Sequence, residues 1–203
     1  RSTLFPYTTL FRSRTGASPT LLSYRLKQLE KEGIVERRKA PSGASWTYHL
    51  TAAGAELASV VLSLGVWGQK WSRRELAKHE VDLGLLLWAI ERGARADALG
   101  ARSVIELTLT DQIEKKRHWW FLNEGGRCEL CLKPPDSRID LFIEASLPDM
   151  IYVWRGDLPL AQALESGRLQ VDGPTGMRTA FRNWLGISPL AHVQSEQAGT
   201  EPA

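Results

Sequence analysis

Cysteine is nearly absent from this 203-residue chain, with two residues in all, which excludes a disulfide scaffold and implies a reducing, cytoplasmic compartment. No stretch approaches the roughly 20 consecutive apolar residues that span a bilayer, so no membrane partner is expected. Gly-rich phosphate loops, nucleophile elbows and helical metal-ligand motifs are missing, and the four histidines, at 49, 79, 118 and 192, are scattered. The close pair Cys128 and Cys131 does not make a metal or redox site. In a strand, side chains at i and i+3 point to opposite faces, and zinc needs two further spaced ligands. Asp140 and Glu144 share a strand face, which an exposed acidic surface explains without acid/base chemistry. No catalytic residue, metal or cofactor is expected, and the chain reads as a non-enzyme.

Methionine is scarce as well: the chain begins at Arg1 and its first Met is Met150. Residues 3–13, TLFPYTTLFRS, look like a translated sequencing adapter, so residues 1–13 are set aside as a foreign leader and native sequence is expected from Arg14.

Charge is present but unevenly placed. Residues 14–78 hold eleven Lys/Arg against five Asp/Glu, whereas residues 79–203 hold thirteen against eighteen. A basic front joined to an acidic rear suggests two modules with different partners, the basic one facing phosphate.

In the front module Ser18-Pro19 opens a helix and Gly33 closes it. Leu22, Leu26 and Leu29 mark its buried face, opposite a polar stripe of Thr20, Tyr24, Lys27 and Lys31. Residues 34–39 form a short extended segment ending in Arg37-Arg38-Lys39. Pro41-Ser42-Gly43 is a turn, and Trp46, Tyr48 and Leu50 alternate with polar residues on a returning strand. Helix, glycine and basic hairpin is the order of a winged helix-turn-helix, whose second helix reads bases while the wing touches phosphate. Residues 51–78 read as one further helix, with Leu57, Val61, Leu64, Gly68 and Trp71 at alternating four- and three-residue spacings. This stripe is wider than a small wing domain requires. A homodimer seam is expected there, with packing inside one chain as the alternative.

The segments SPTLLSYRLKQLEKEGIVERR, WTYHLTAAG and LASVVLSLGVWGQKW, taken in order, resemble HxlR-type winged-helix transcriptional regulators. The resemblance implies double-stranded DNA as partner. Ser18, Thr20, Ser23, Tyr24 and Lys27 then lie where the recognition helix faces DNA, and Arg37, Arg38 and Lys39 lead into the wing. It also implies that the helices preceding recognition lie upstream of Arg14, so residues 14–50 are a partial winged helix of an N-terminally truncated chain.

The rear module, residues 79–190, begins with a helix over 81–99. Strand-like runs at 105–109, 118–122 (aromatic), 128–132 and 139–144 follow, with a hairpin turn at Glu124-Gly125-Gly126, so an antiparallel meander is expected. Helices near 147–155, 158–166 and 174–186 come after the strands, giving an α+β sandwich. The stretch VWRGDLPLAQALESGRLQVDGPTGMRTAFRNWLG resembles the sterol carrier protein type 2-like fold. That resemblance implies a cavity for a lipid or acyl group between sheet and helices, for which Met150, Trp154, Met177, Phe181 and Trp184 are the candidate lining; plain core is the other reading. Residues 191–203 are expected as a disordered tail. The combined expectation is a dimeric DNA-binding transcriptional regulator with a hydrophobic small-molecule effector. The alternative is a lipid carrier or interaction protein whose front part only dimerises.

Overall fold

The computed structural model describes residues 18–39, 46–72, 76–77 and 81–196. The foreign leader expected at residues 1–13 and the turn at Pro41-Ser42-Gly43 lie outside the described residues. The chain divides into two compact units, residues 1–73 with 195–203 and residues 74–194.

In the front unit α1 (Pro19–Lys31) starts where Ser18 accepts the Leu21 N–H at 3.1 Å, satisfying an amide that has no partner within the helix. It ends in a left-handed turn at Gly33, φ +69°. There Gly33 N–H donates to Glu30 O and Ile34 N–H to Leu29 O, the paired bonds that close a helix C-terminus. The chain passes directly into an antiparallel hairpin of β1 (Val35–Lys39) and β2 (Trp46–Leu50), paired from Val35 opposite Leu50 to Lys39 opposite Trp46.

Helix α2 (Ala52–Trp71) is anchored at its start. Thr51 donates its backbone N–H and its hydroxyl to Ile34 O, its hydroxyl also reaches Gly33 O, and its Oγ1 accepts the Gly54 N–H. Gly54 is the buried residue of α2, and a Cβ there would stand 2.0 Å from Ile34 O. Gly54→Ala gains helix propensity of about 1 kcal/mol but must pry α2 from the turn, so net destabilisation of the front unit by about 2 kcal/mol is expected. Hydrogen exchange reads it: the Thr51 and Ala55 amides should exchange faster while those of the rear unit stay unchanged. The helix expected through residue 78 stops at Trp71, where Ser72 leaves helical geometry and the apolar stripe gives way to Ser-Arg-Arg.

The rear unit opens with α3 (Leu83–Gly93), capped by Asp82. The helix expected over 81–99 breaks at Ala94, which is extended, and a separate 3-10 turn covers Ala96–Leu99. Strands β3 (Arg102–Leu109), β4 (His118–Glu124), β5 (Arg127–Cys131), β6 (Leu141–Ala145) and β7 (Leu169–Asp172) form one sheet in the order β5-β4-β3-β6-β7. A short 3-10 turn, Glu114–Lys116, precedes β4. The meander holds for β3, β4 and β5 and fails at β6, which pairs parallel to β3. Alternation specifies which face a residue takes but not which strand lies alongside. Residues 132–140 carry the chain back across the sheet, and Asp140 closes that crossover by accepting Val104 N–H on Oδ2 and donating its own N–H to Val104 O. The sheet is therefore mixed.

Helices α4 (Leu147–Arg155), α5 (Leu160–Glu165) and α6 (Thr175–Trp184) complete the α+β unit. One buried cluster joins Ile105, Leu107, Phe121 and Ile143 of the sheet to Leu86 and Ile90 of α3, Met150 of α4 and Phe181 of α6. Order continues past residue 190: Val193 is buried and its N–H donates to Leu190 O, so the beginning of the expected tail, residues 191–196, is described chain.

Candidate functional site

Two groups of side chains stand out in the front unit, and each follows from local sequence. On α1 the spacing of Thr20, Tyr24 and Lys27 places them along one stripe, with Ser23 beside it, and all four are exposed. Ser18 is exposed too, but its hydroxyl is engaged as the helix cap. The Tyr24 hydroxyl accepts a hydrogen bond from Gln28 Nε2 at 3.1 Å, which adds Gln28 to this face. Helical spacing alone places Gln28 one turn after Tyr24, but the expected stripe passes from Tyr24 to Lys27 and leaves it out. On the other side of α1, Leu22 and Leu26 are half-buried and Leu29 is exposed.

The hairpin sorts its three cations. Directly opposed residues share a face, so Arg37 and Lys39 lie with Trp46 and Tyr48, while Arg38 lies with Glu36, Thr47 and His49. Arg37 Cζ sits 4.3 Å from the Trp46 ring centroid and Lys39 Nζ 5.7 Å from it. Arg38 is ion-paired with Glu36. Trp46 is half-exposed. Alternation marks Trp46 only as a strand residue; its place beside Arg37 and Lys39 comes from the hairpin register.

Helix α2 presents its apolar residues outward. Leu57, Val61, Leu64 and Trp71 are exposed and Gly68 is half-buried; Val60, Leu62 and Trp67 extend the exposed surface.

In the rear unit the five candidate lining residues all belong to, or pack against, one large hydrophobic cluster. Met150, Phe181 and Trp184 are fully buried, and Trp154 and Met177 pack half-buried against the same cluster. Trp184 lies edge-on to Phe121 with centroids 5.9 Å apart, and at 6.0 Å from Phe181. Its indole N–H donates to Asn123 Oδ1 at 2.9 Å, and Asn123 Nδ2 donates to Ser103 Oγ at 3.0 Å, a buried polar chain beneath the aromatic layer. A buried indole N–H without such a partner is costly, so this chain fixes the ring's orientation.

Cys128 lies opposite Asn123 on the core side of β5, and Cys131 opposite Trp120 on the other side; both are free thiols. Burial, then the Glu91 carboxylate, pushes the Cys128 thiol up to about 12, and burial raises Cys131. Neither is poised as a thiolate nucleophile. Asp140 is committed to the Val104 backbone, and Glu144 is exposed. Among the described residues no group of three or more His, Cys, Asp or Glu could hold a metal ion, and no helix is long and apolar enough to cross a membrane.

Comparison with known proteins gives two family matches. Residues 7–76 match the HxlR-like helix-turn-helix model, and residues 86–186 match that of the SCP-2 sterol transfer family. Similar solved structures include sterol carrier protein 2 like 2 of Aedes aegypti (14% identity, 49% of this chain and 92% of that one, TM-score 0.37). They also include apo sterol carrier protein 2 of Yarrowia lipolytica (15%, 53% and 99%, TM-score 0.37). A stereoselective inverting sec-alkylsulfatase of a Pseudomonas species matches as well (17% identity, 49% of this chain, TM-score 0.38), and there this chain spans 16% of the other's length. No curated protein matches the chain.

Proposed function

We propose that this chain, which joins an HxlR-like helix-turn-helix region to an SCP-2 sterol transfer family domain, is a dimeric DNA-binding regulator whose rear domain binds a hydrophobic effector. The observation that carries the reading is the exposed face of α1 followed at once by a hairpin whose cations Arg37 and Lys39 are held outward against Trp46. A helix and wing so arranged suit a groove and its flanking phosphates. The exposed apolar stripe of α2 supports pairing with a second copy, which doubles the DNA contact. In the rear domain Trp154 and Met177, half-buried at the margin of the core, are the residues an apolar ligand would meet first, while Met150, Phe181 and Trp184 form the floor. The reading assigns the chain no chemical step of its own.

Two measurements on the full chain test it. Binding to duplex DNA should weaken steeply with salt, since each neutralised phosphate contributes about one unit of slope in log K against log salt. Fatty-acyl or sterol-like probes at ~100 times their Kd should raise the rear-unit melting temperature by about 5–10 °C. Salt-independent or absent DNA binding beside a clear lipid shift would leave a carrier that only dimerises through its front. No shift with any apolar probe would remove the effector.

A further inference from the structure

The three cations of the wing are not equivalent, and their difference assigns a role to a residue outside the usual cationic set. Arg37 and Lys39 are two apart on β1 and share a face. Trp46 is the register partner of Lys39 and the diagonal neighbour of Arg37, within reach of both. Both cationic heads lie within the roughly 6 Å over which a ring's negative face attracts a cation. Arg38, on the opposite face, has Glu36 against it.

We propose that Trp46 is a positioning residue that holds Arg37 and Lys39 together as a two-cation clamp for nucleic-acid phosphate, while Arg38, neutralised by Glu36, adds no net phosphate contact. This rests on the DNA-binding reading above. Two considerations support it. Trp46 is 50% exposed, so it is poorly used as core, yet an exposed indole flanked by two cations is well used as a platform. Free Arg and Lys side chains lose most of their rotamer freedom when they grip a phosphate, and cations already resting on a ring lose less. When Arg38 meets a phosphate, Glu36 stays beside it and opposes the anion, so little counterion release results.

The test uses the full chain on a random duplex across a salt series, with Arg37→Gln, Arg38→Gln, Lys39→Gln, Trp46→Leu, Trp46→Phe and the double variant Arg37→Gln/Trp46→Leu. Leucine keeps an apolar strand residue and removes the ring face, and phenylalanine keeps a weaker one. Expected are slopes lowered by about two units per bound dimer, about one for each wing, for Arg37→Gln and for Lys39→Gln, with Arg38→Gln unchanged. Trp46→Leu should weaken binding about three-fold at fixed salt, with Trp46→Phe between it and the parent. The double variant should be no weaker than Arg37→Gln and Trp46→Leu predict separately, and measurably stronger than their product, because the two losses overlap. Without DNA, the Arg37 side-chain protons should show an upfield ring-current shift that Trp46→Leu abolishes. If Arg38→Gln lowers the slope as much as Arg37→Gln, or if the Arg37 and Trp46 effects multiply independently, the clamp is wrong while DNA binding stands. An absent ring-current shift also overturns the platform, whatever the DNA does. A parent chain with no salt-dependent duplex binding overturns both the clamp and the reading beneath it.

Discussion

Replacing Gly186 by alanine should destabilise the rear unit by about 3–5 kcal/mol, whereas the same replacement at Gly93 should change it by less than about 1 kcal/mol. The two glycines touch, but unequally. A Cβ on Gly186 would lie 2.0 Å from Gly93 O, 2.3 Å from its carbonyl carbon and 2.8 Å from its Cα. All three are backbone atoms, so no rotamer change can relieve the overlap. A Cβ on Gly93 would meet Gly186 no closer than 3.5 Å, an ordinary contact. The same seam is tied by Arg95 N–H donating to Trp184 O at 3.0 Å, and Trp184 carries the indole bond to Asn123. Forcing the end of α3 from the chain after α6 therefore pulls on the buried polar chain as well as on the packing. Urea unfolding followed by tryptophan fluorescence reads both variants. Equal losses at the two positions would show that the contact is not the close one described.

That seam marks the boundary of what the sequence reveals. The Ser18 cap, the Gly33 stop, the hairpin order and the inward alternation of β3, β4 and β6 depend on residues a few positions apart, and local composition encodes them. The parallel pairing of β6 with β3, the contact between Gly93 and Gly186, and the hydrogen bond from Trp184 to Asn123 join residues tens of positions apart. They arise from how the elements stack, to which alternation is blind. The candidate sites divide in the same way. The polar stripe of α1 follows from helical spacing. Alternation along the strand already sets Arg38 with Glu36 and Arg37 with Lys39, but which of those two faces carries Trp46 requires the strand register. Likewise, Met150, Trp154, Met177, Phe181 and Trp184 could be grouped as one apolar set from their helices. Which of them are fully buried and which half-buried is a matter of layer depth, and no periodicity in the chain records that.

The double substitution Val61→Asp/Leu64→Asp should turn a dimer into a monomer, raising the dimer dissociation constant more than ~100-fold. Among its described side chains α2 exposes Val60, Val61, Leu62, Leu64 and Trp67, and Gly54 is its buried residue. Burying one such Val or Leu side chain contributes roughly 1.5–3 kcal/mol, so two per copy, counted on both copies, comfortably exceed the shift required. Two aspartates on each copy add the cost of bringing like charges together in an apolar seam. Sedimentation equilibrium gives the mass. The DNA salt slope should fall toward half, since a monomer brings one wing where a dimer brings two. Gly68→Ala separates a seam from a merely sticky helix. A Cβ there meets nothing within 4 Å in a single chain, and alanine stabilises a helix interior by about 1 kcal/mol over glycine, so the monomer should gain. Weaker dimerisation by that variant can come only from a partner helix that approaches α2 closely at Gly68. Unchanged dimerisation with a gain in stability would move the closest approach to the Leu57–Leu64 end, and a monomeric parent at ~100 μM would remove the seam altogether.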